Sequence, residues 1–110
     1  MVSGASSGLG EHIAELLADN GVAVVCAARR LDLLENLAER IKARGGKALA
    51  VAMDVTNRAS VKAGFDLAEK EFGTPDIIFS NAGATGRQPF VEMDEDNWDH
   101  VLKVNIKGVF

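Results

Sequence analysis

Cysteine is nearly absent from this chain. Cys26 stands alone among 110 residues, so no disulfide framework can exist within it, and its place in an apolar run marks it as a buried strand residue rather than a nucleophile. Excess basic charge is also missing. A net charge of −4 argues against nucleic acid or an anionic membrane surface as a partner, because both need a basic face. No apolar run approaches the ~18 residues that span a bilayer. The first residues show no basic segment followed by an apolar core, so no signal peptide is expected. These absences fit a reducing compartment, and the cytoplasm is the expected location. His12 and His100 have no partners at ligand spacing; both are expected on helix surfaces, with no metal site. Tyrosine is missing altogether.

What remains is an ordinary composition for one domain. Apolar residues make up 47% of the chain, enough for a packed core, and charged residues 25%. The most informative run is Ser3-Gly4-Ala5-Ser6-Ser7-Gly8-Leu9-Gly10, with glycines spaced G-x-x-x-G-x-G and a helical pattern directly behind it. Glycine lets a ligand approach the backbone with no Cβ in the way. The following helix turns unpaired N–H groups and a partial positive charge toward the loop, which suits a pyrophosphate. Gly4 allows the tight turn, the N–H groups near Gly8, Leu9 and Gly10 face the ligand, and the hydroxyls of Ser3, Ser6 and Ser7 brace the loop or touch a ribose phosphate. A Walker-type loop is excluded, since no Gly-Lys-Ser/Thr follows.

Strand and helix patterns then alternate. Residues 8–20 form a helix with Ile13, Leu16 and Leu17 inward and Gly21 as its stop. Residues 23–28 are a continuous apolar run, as expected of a strand buried on both faces. Residues 31–44 repeat Leu34, Leu37, Ala38 and Ile41 at helical spacing before Gly45-Gly46. A third strand covers 47–53. Thr56 or Asn57 caps a third helix with the stripe Val61, Phe65, Ala68 and Phe72. A fourth strand, 76–79, leads into Ser80-Asn81-Ala82-Gly83, and a loop from 84 to about 93 follows. A last helix begins near the acids Asp94, Glu95 and Asp96 and carries Trp98, Val101, Leu102, Asn105 and Val109 on one side, with Trp98 as a core or interface anchor. This alternation predicts α/β architecture with βαβ units, a parallel sheet and helices on both faces. The ligand belongs at the carboxyl edge of the strands.

Four landmarks in register resemble the short-chain dehydrogenase/reductase family, in its compact single-domain branch. The glycine loop is similar to the family's T-G-x-x-x-G-x-G, with Ser3 in the threonine place. Asp54-Val55 after the third strand resembles the acidic step that holds the adenine ring. Ser80-Asn81-Ala82-Gly83 resembles N-N-A-G, with Ser80 replacing the first asparagine. Asn105, within Val104-Asn105-Ile106-Lys107-Gly108, falls where the family has the asparagine of its catalytic tetrad.

The resemblance covers the whole chain and implies a Rossmann-type doubly wound sheet, strand order 3-2-1-4, truncated at both ends: a partial NAD(P)-binding domain over residues 1–110. It implies hydride transfer between a nicotinamide cofactor and a carbonyl or alcohol substrate. The family's serine and Tyr-x-x-x-Lys would lie past residue 110, and a homo-oligomer is implied for the longer protein. Asn105 would order a water in the family's proton relay. Asp54 would accept from the adenine amino group, with Val55 packing or donating beside it. Asn81, Ala82 and Gly83 would pass close to the cofactor, the Asn81 amide tying neighbouring strands together. Where NAD-using relatives end the second strand in aspartate, this chain has Ala28 followed by Arg29 and Arg30. A guanidinium there can pair with a 2′-phosphate, so NADP is favoured over NAD, with Arg29 ahead of Arg30. A non-catalytic dinucleotide-binding module fits the same loop. A sugar-nucleotide epimerase does not, because its glycine spacing differs.

Overall fold

The run Val24–Ala28 is buried at every position, and its side chains alternate between two separate cores. That is what a central parallel strand requires. The computed structural model describes residues 1–110. In chain order it contains β1 (Val2–Ser3), α1 (Gly8–Asp19), β2 (Val24–Ala28), α2 (Leu31–Ala43), β3 (Ala48–Ala52), α3 (Arg58–Phe72) and α4 (Glu95–Leu102). A short 3-10 turn covers Phe90–Glu92, and a π turn, Lys103–Lys107, continues α4. β2 pairs in parallel with β1 on one side and β3 on the other. Val24, Cys26 and Ala28 face α1 and α2. Val25 and Ala27 face α3 through Val51, Met53 and Ala68. Helices therefore cover both faces of the sheet.

The helical faces follow the sequence fully in α2 and in part in α1 and α3, where Ile13, Leu17, Val61 and Phe72 pack against the cores and Ala68 is buried. Leu34, Leu37, Ala38 and Ile41 are all buried as the spacing predicts. In α1 the buried positions are Gly10, Ala14 and Ala18, while Leu16 is 65% exposed. In α3 they are Gly64 and Ala68 rather than the larger stripe residues. Small residues at i, i+4 bring these helices down onto the sheet. A Cβ added at Gly64 would lie 3.0 Å from Met53 Sδ. Asn57, not Thr56, caps α3, its Oδ1 accepting from the Ser60 N–H at 3.1 Å.

The predicted fourth strand is a correction. Residues 76–79 form no strand; they meet the sheet at one parallel bridge, Val2 to Phe79. β1 has only two residues, so its outer edge offers little ladder. Ser3 N–H donates to Phe79 O at 3.0 Å and Phe79 N–H to Met1 O at 2.9 Å. The position is the expected one, beyond β1 in the order 3-2-1-4, but the pairing is minimal.

The last helix is a second correction. Trp98 is 49% exposed and anchors no core. The pattern assumed 3.6 residues per turn through residue 109. The π turn breaks that period, closing with Gly108 N–H donating to Lys103 O at 2.9 Å. The extra residue rotates the face that packs, so Val104 is the buried position. Asn105 is exposed rather than set in an apolar stripe.

Candidate functional site

The carboxyl ends of the three strands open into one cavity of about 560 Å³. The glycine loop forms its floor. The close approach here is first of all internal to the protein. Gly4 has φ +69°, and a Cβ on it would lie 2.8 Å from Ala82 Cα. A Cβ on Gly10 would lie 2.5 Å from Asn81 Nδ2. Asn81 Nδ2 donates to Ser3 O at 3.0 Å, which ties the loop to the chain beyond Phe79. The glycines therefore let segment 81–83 lie against the loop and keep the cavity open above it.

Ser3 is buried behind the loop. Its Oγ accepts from the Ala82 N–H at 3.0 Å and donates to Phe79 O at 3.3 Å. It does not line the cavity, and of the two roles expected for its hydroxyl these bonds serve the bracing one. Gly8 also stands outside the lining, although it opens α1. Ser7, the N-cap, makes no side-chain hydrogen bond to the helix. The N–H groups of Gly8, Leu9 and Gly10 have no acceptor within the helix, which leaves donors for an anion.

The two arginines take different places on the cavity. The Arg30 guanidinium donates to Ser6 Oγ and to Ser7 Oγ, both at 3.0 Å. Arg29 lines the cavity nearer Asp54, whose carboxyl it helps hold ionised. Neither arginine is ion-paired with an acid. Arg30, rather than Arg29, is thus the cation joined to the glycine loop.

Asp54 closes a tight turn at the exit of β3. Its Oδ1 accepts from Thr56 N–H at 2.8 Å and from Thr56 Oγ at 2.7 Å. These bonds hold its carboxyl below the ordinary range, and Arg29 and Lys103 add to the effect. Oδ2 has no protein donor and stays open to a ligand. Val55 lies beside it and supports the π turn: a Cβ on Gly108 would meet Val55 Cγ2 at 2.9 Å. On the opposite wall, Asn105 clamps the start of the following loop. Its Nδ2 donates to Ala84 O and its Oδ1 accepts from Ala84 N–H, each at 2.8 Å. Each atom keeps one further hydrogen-bonding position.

The structure brings Gly4, Ser6, Ser7, Leu9, Gly10, Arg29, Arg30, Asp54, Val55, Asn81, Ala82 and Gly83 onto one cavity wall or another. Asn105 stands just behind it, next to the lining residue Val104. Ala28, Met53, Thr56, Ala84, His100 and Val104 complete the lining. Val104, inside the π turn, and His100, in the last turn of α4, both face the cavity. Cys26 is outside the site; burial pushes its thiol up to about 11, so it stays protonated at neutral pH. The described residues contain no cluster of metal-ligating side chains, and no helix is long and apolar enough to cross a membrane.

An open cavity with this loop, free helix N–H groups, an unpaired arginine and an unbonded carboxylate oxygen fits a phosphorylated dinucleotide. Known proteins agree with the geometry. An uncharacterised oxidoreductase of Listeria innocua is 43% identical over 99% of this chain and 44% of its own length. A short-chain type dehydrogenase/reductase from Mycobacterium marinum superposes with a TM-score of 0.94 at 36% identity, covering 99% of this chain and 43% of that one. An alcohol dehydrogenase from the archaeon Thermococcus sibiricus, solved in complex with 5-hydroxy-NADP, superposes with a TM-score of 0.93 at 32% identity, over 98% and 46% of the two chains. The chain thus spans a little under half the length of these relatives. A family model described as short chain dehydrogenase matches residues 1–110, and the chain belongs to that family.

Proposed function

We propose that the protein carrying this chain is an oxidoreductase that transfers a hydride between a nicotinamide cofactor, NADPH preferred, and a carbonyl or alcohol substrate. This chain supplies the cofactor-binding half. The observation that carries the NADP assignment is the Arg30 guanidinium seated on the hydroxyls of Ser6 and Ser7. An unpaired cation at the end of β2 suits a 2′-phosphate; a ribose diol would call for an acceptor, and Ala28 offers none. The Thermococcus relative crystallised with an NADP derivative is in keeping with this choice.

When bound, the nicotinamide ring supplies the hydride chemistry. The chain's own residues hold and orient. The N-terminus of α1 takes the pyrophosphate, Asp54 Oδ2 accepts from the adenine amino group, and Val55 packs on the base. Asn81, Ala82 and Gly83 set the depth of the cleft. Asn105, fixed by Ala84, has hydrogen-bonding capacity left to order a water for proton transfer. The 110 residues contain no tyrosine, so on their own they lack the proton donor that the family resemblance implies and are expected to bind without turning over. The exposed Trp98 and Leu102 of α4 suit assembly with further copies of the protein. A reduced, buried Cys26 suits a cytoplasmic protein.

The test is fluorescence titration of NADPH and NADH into the full-length protein and its Arg30→Ala and Arg29→Ala variants. Arg30→Ala should weaken NADPH by about 1.5–3 kcal/mol, the worth of a charged hydrogen bond, and leave NADH nearly unchanged. Equal loss for both cofactors would overturn the NADP assignment.

A further inference from the structure

The cavity lining contains one ring, and it belongs to His100. His100 sits in the last turn of α4, and Val104 lies four residues on, inside the π turn. Both line the cavity together with Asp54, Val55 and Thr56 at the exit of β3. The contact of Gly108 with Val55 shows that the π turn packs directly on that exit. The two walls therefore approach each other on the side of the cavity that carries Asp54. The imidazole is exposed and makes no hydrogen bond or ion pair with any residue, so the fold places no other demand on it.

A flat, uncommitted ring beside two valines and an acceptor has the chemistry of a purine clamp. We propose that the His100 ring packs on the face of the adenine base and acts as a positioning residue for the adenylate half of the cofactor. This rests on the dinucleotide reading above. It assigns to His100 a contribution independent of the 2′-phosphate, and so common to NADP and NAD. Arg30 would select between the cofactors, whereas His100 would strengthen both.

The experiment uses the full-length protein with His100→Ala and His100→Phe. NADPH and NADH are titrated by fluorescence. Adenosine 5′-monophosphate and nicotinamide mononucleotide are then used as competitors that carry one half of the cofactor each. His100→Ala should weaken NADPH, NADH and adenosine monophosphate by a similar factor of about five to ten, as expected for loss of a stacked ring, and leave nicotinamide mononucleotide unchanged. His100→Phe should restore binding to within about twofold, because any π face can serve. Melting midpoints should match across the variants.

Unchanged dinucleotide affinity in His100→Ala would overturn the proposal. So would a phenylalanine variant as weak as the alanine one, which would mean a polar contact. Equal loss for nicotinamide mononucleotide would also overturn it, marking a structural role. If the unsubstituted protein binds neither dinucleotide, the functional reading falls as well. If it binds both and His100→Ala binds them equally, this inference alone falls.

Discussion

Residues 1–72 and residues 73–110 are built by different rules. Of the 21 buried residues, all but Val104 lie in the first region. There, every strand pairs and every helix closes on one of two cores. Exposed ion pairs add orientation between α1 and α2: Arg40 bonds Glu11 and Glu15, and Arg44 reaches Asp19 at 3.2 Å. In the second region Phe90, Val91, Ile106 and Phe110 are each more than 60% exposed. This region is held through a few polar contacts at the seam: one bridge, the Ser3 hydroxyl, the Asn81 amide and the packing of the π turn on Val55. The cavity lies along that seam. Hydrophobic burial fixes the platform, and a handful of hydrogen bonds fixes the wall facing it.

The sharpest way to break the comparison is to remove one large side chain from each region. Leu37→Ala, in the fully buried face of α2, should lower stability by about 2–5 kcal/mol. Trp98→Ala, although it removes a larger side chain, should change the stability of the 110-residue chain by less than about 0.5 kcal/mol, because the ring is half exposed. Urea denaturation midpoints decide it. A Trp98 loss as large as that of Leu37 would mean that the second region has a core of its own.

The seam itself is tested by Gly10→Ala and Asn81→Ala. The added methyl at residue 10 would meet both the Gly4 carbonyl and Asn81 Nδ2, and should cost about 1–3 kcal/mol. Asn81→Ala strips the donor from the Ser3 carbonyl and should cost about 1–3 kcal/mol. The two changes damage one contact, so the double variant should lose less than the sum. Strict additivity would show that the loop and segment 81–83 are not coupled as described.

What the sequence made legible follows the same division. Alternation of apolar runs and amphipathic stretches is a strong signal, and it places β2 and β3 and gives α2 its inward face. The glycine loop, Asp54 and Asn81 were readable because loop and turn chemistry depends on residue type at fixed spacing. In α1 and α3 the stripes hold except at Leu16 and Phe65, because close helix–sheet contact selects the small residues Ala14 and Gly64, to which hydrophobicity does not point. The strand at 76–79 failed because a strand needs a partner ladder, and β1 supplies two residues. The π turn at Lys103–Lys107 has no signature in periodicity, and it turns Asn105 off the apolar stripe that the spacing predicts. Sequence order does not say which guanidinium folds back onto the serines; in the structure it is Arg30.

The smallest effect expected lies at Asp54, where the two regions meet electrostatically. Its carboxyl is held below the usual range first by the Thr56 hydroxyl and N–H, and then by Arg29 and by Lys103 from across the cavity. A depressed folded-state pKa contributes stability above the unfolded value, about 3.9 for aspartate, and that contribution is lost as pH falls through the folded value. Thr56→Val removes the hydroxyl donor and keeps the N–H. The Asp54 midpoint, read from carboxyl carbon shifts in an NMR titration, should rise toward the unfolded value, and the stability lost on acidification should be smaller and complete at a higher pH. Lys103→Met should move the midpoint in the same direction but less, because an exposed charge is screened by water and salt while the hydrogen bond is direct. A larger shift from Lys103→Met than from Thr56→Val would reverse the ranking. It would place the main hold on Asp54 in the second region, and the platform would then depend on the wall that it carries.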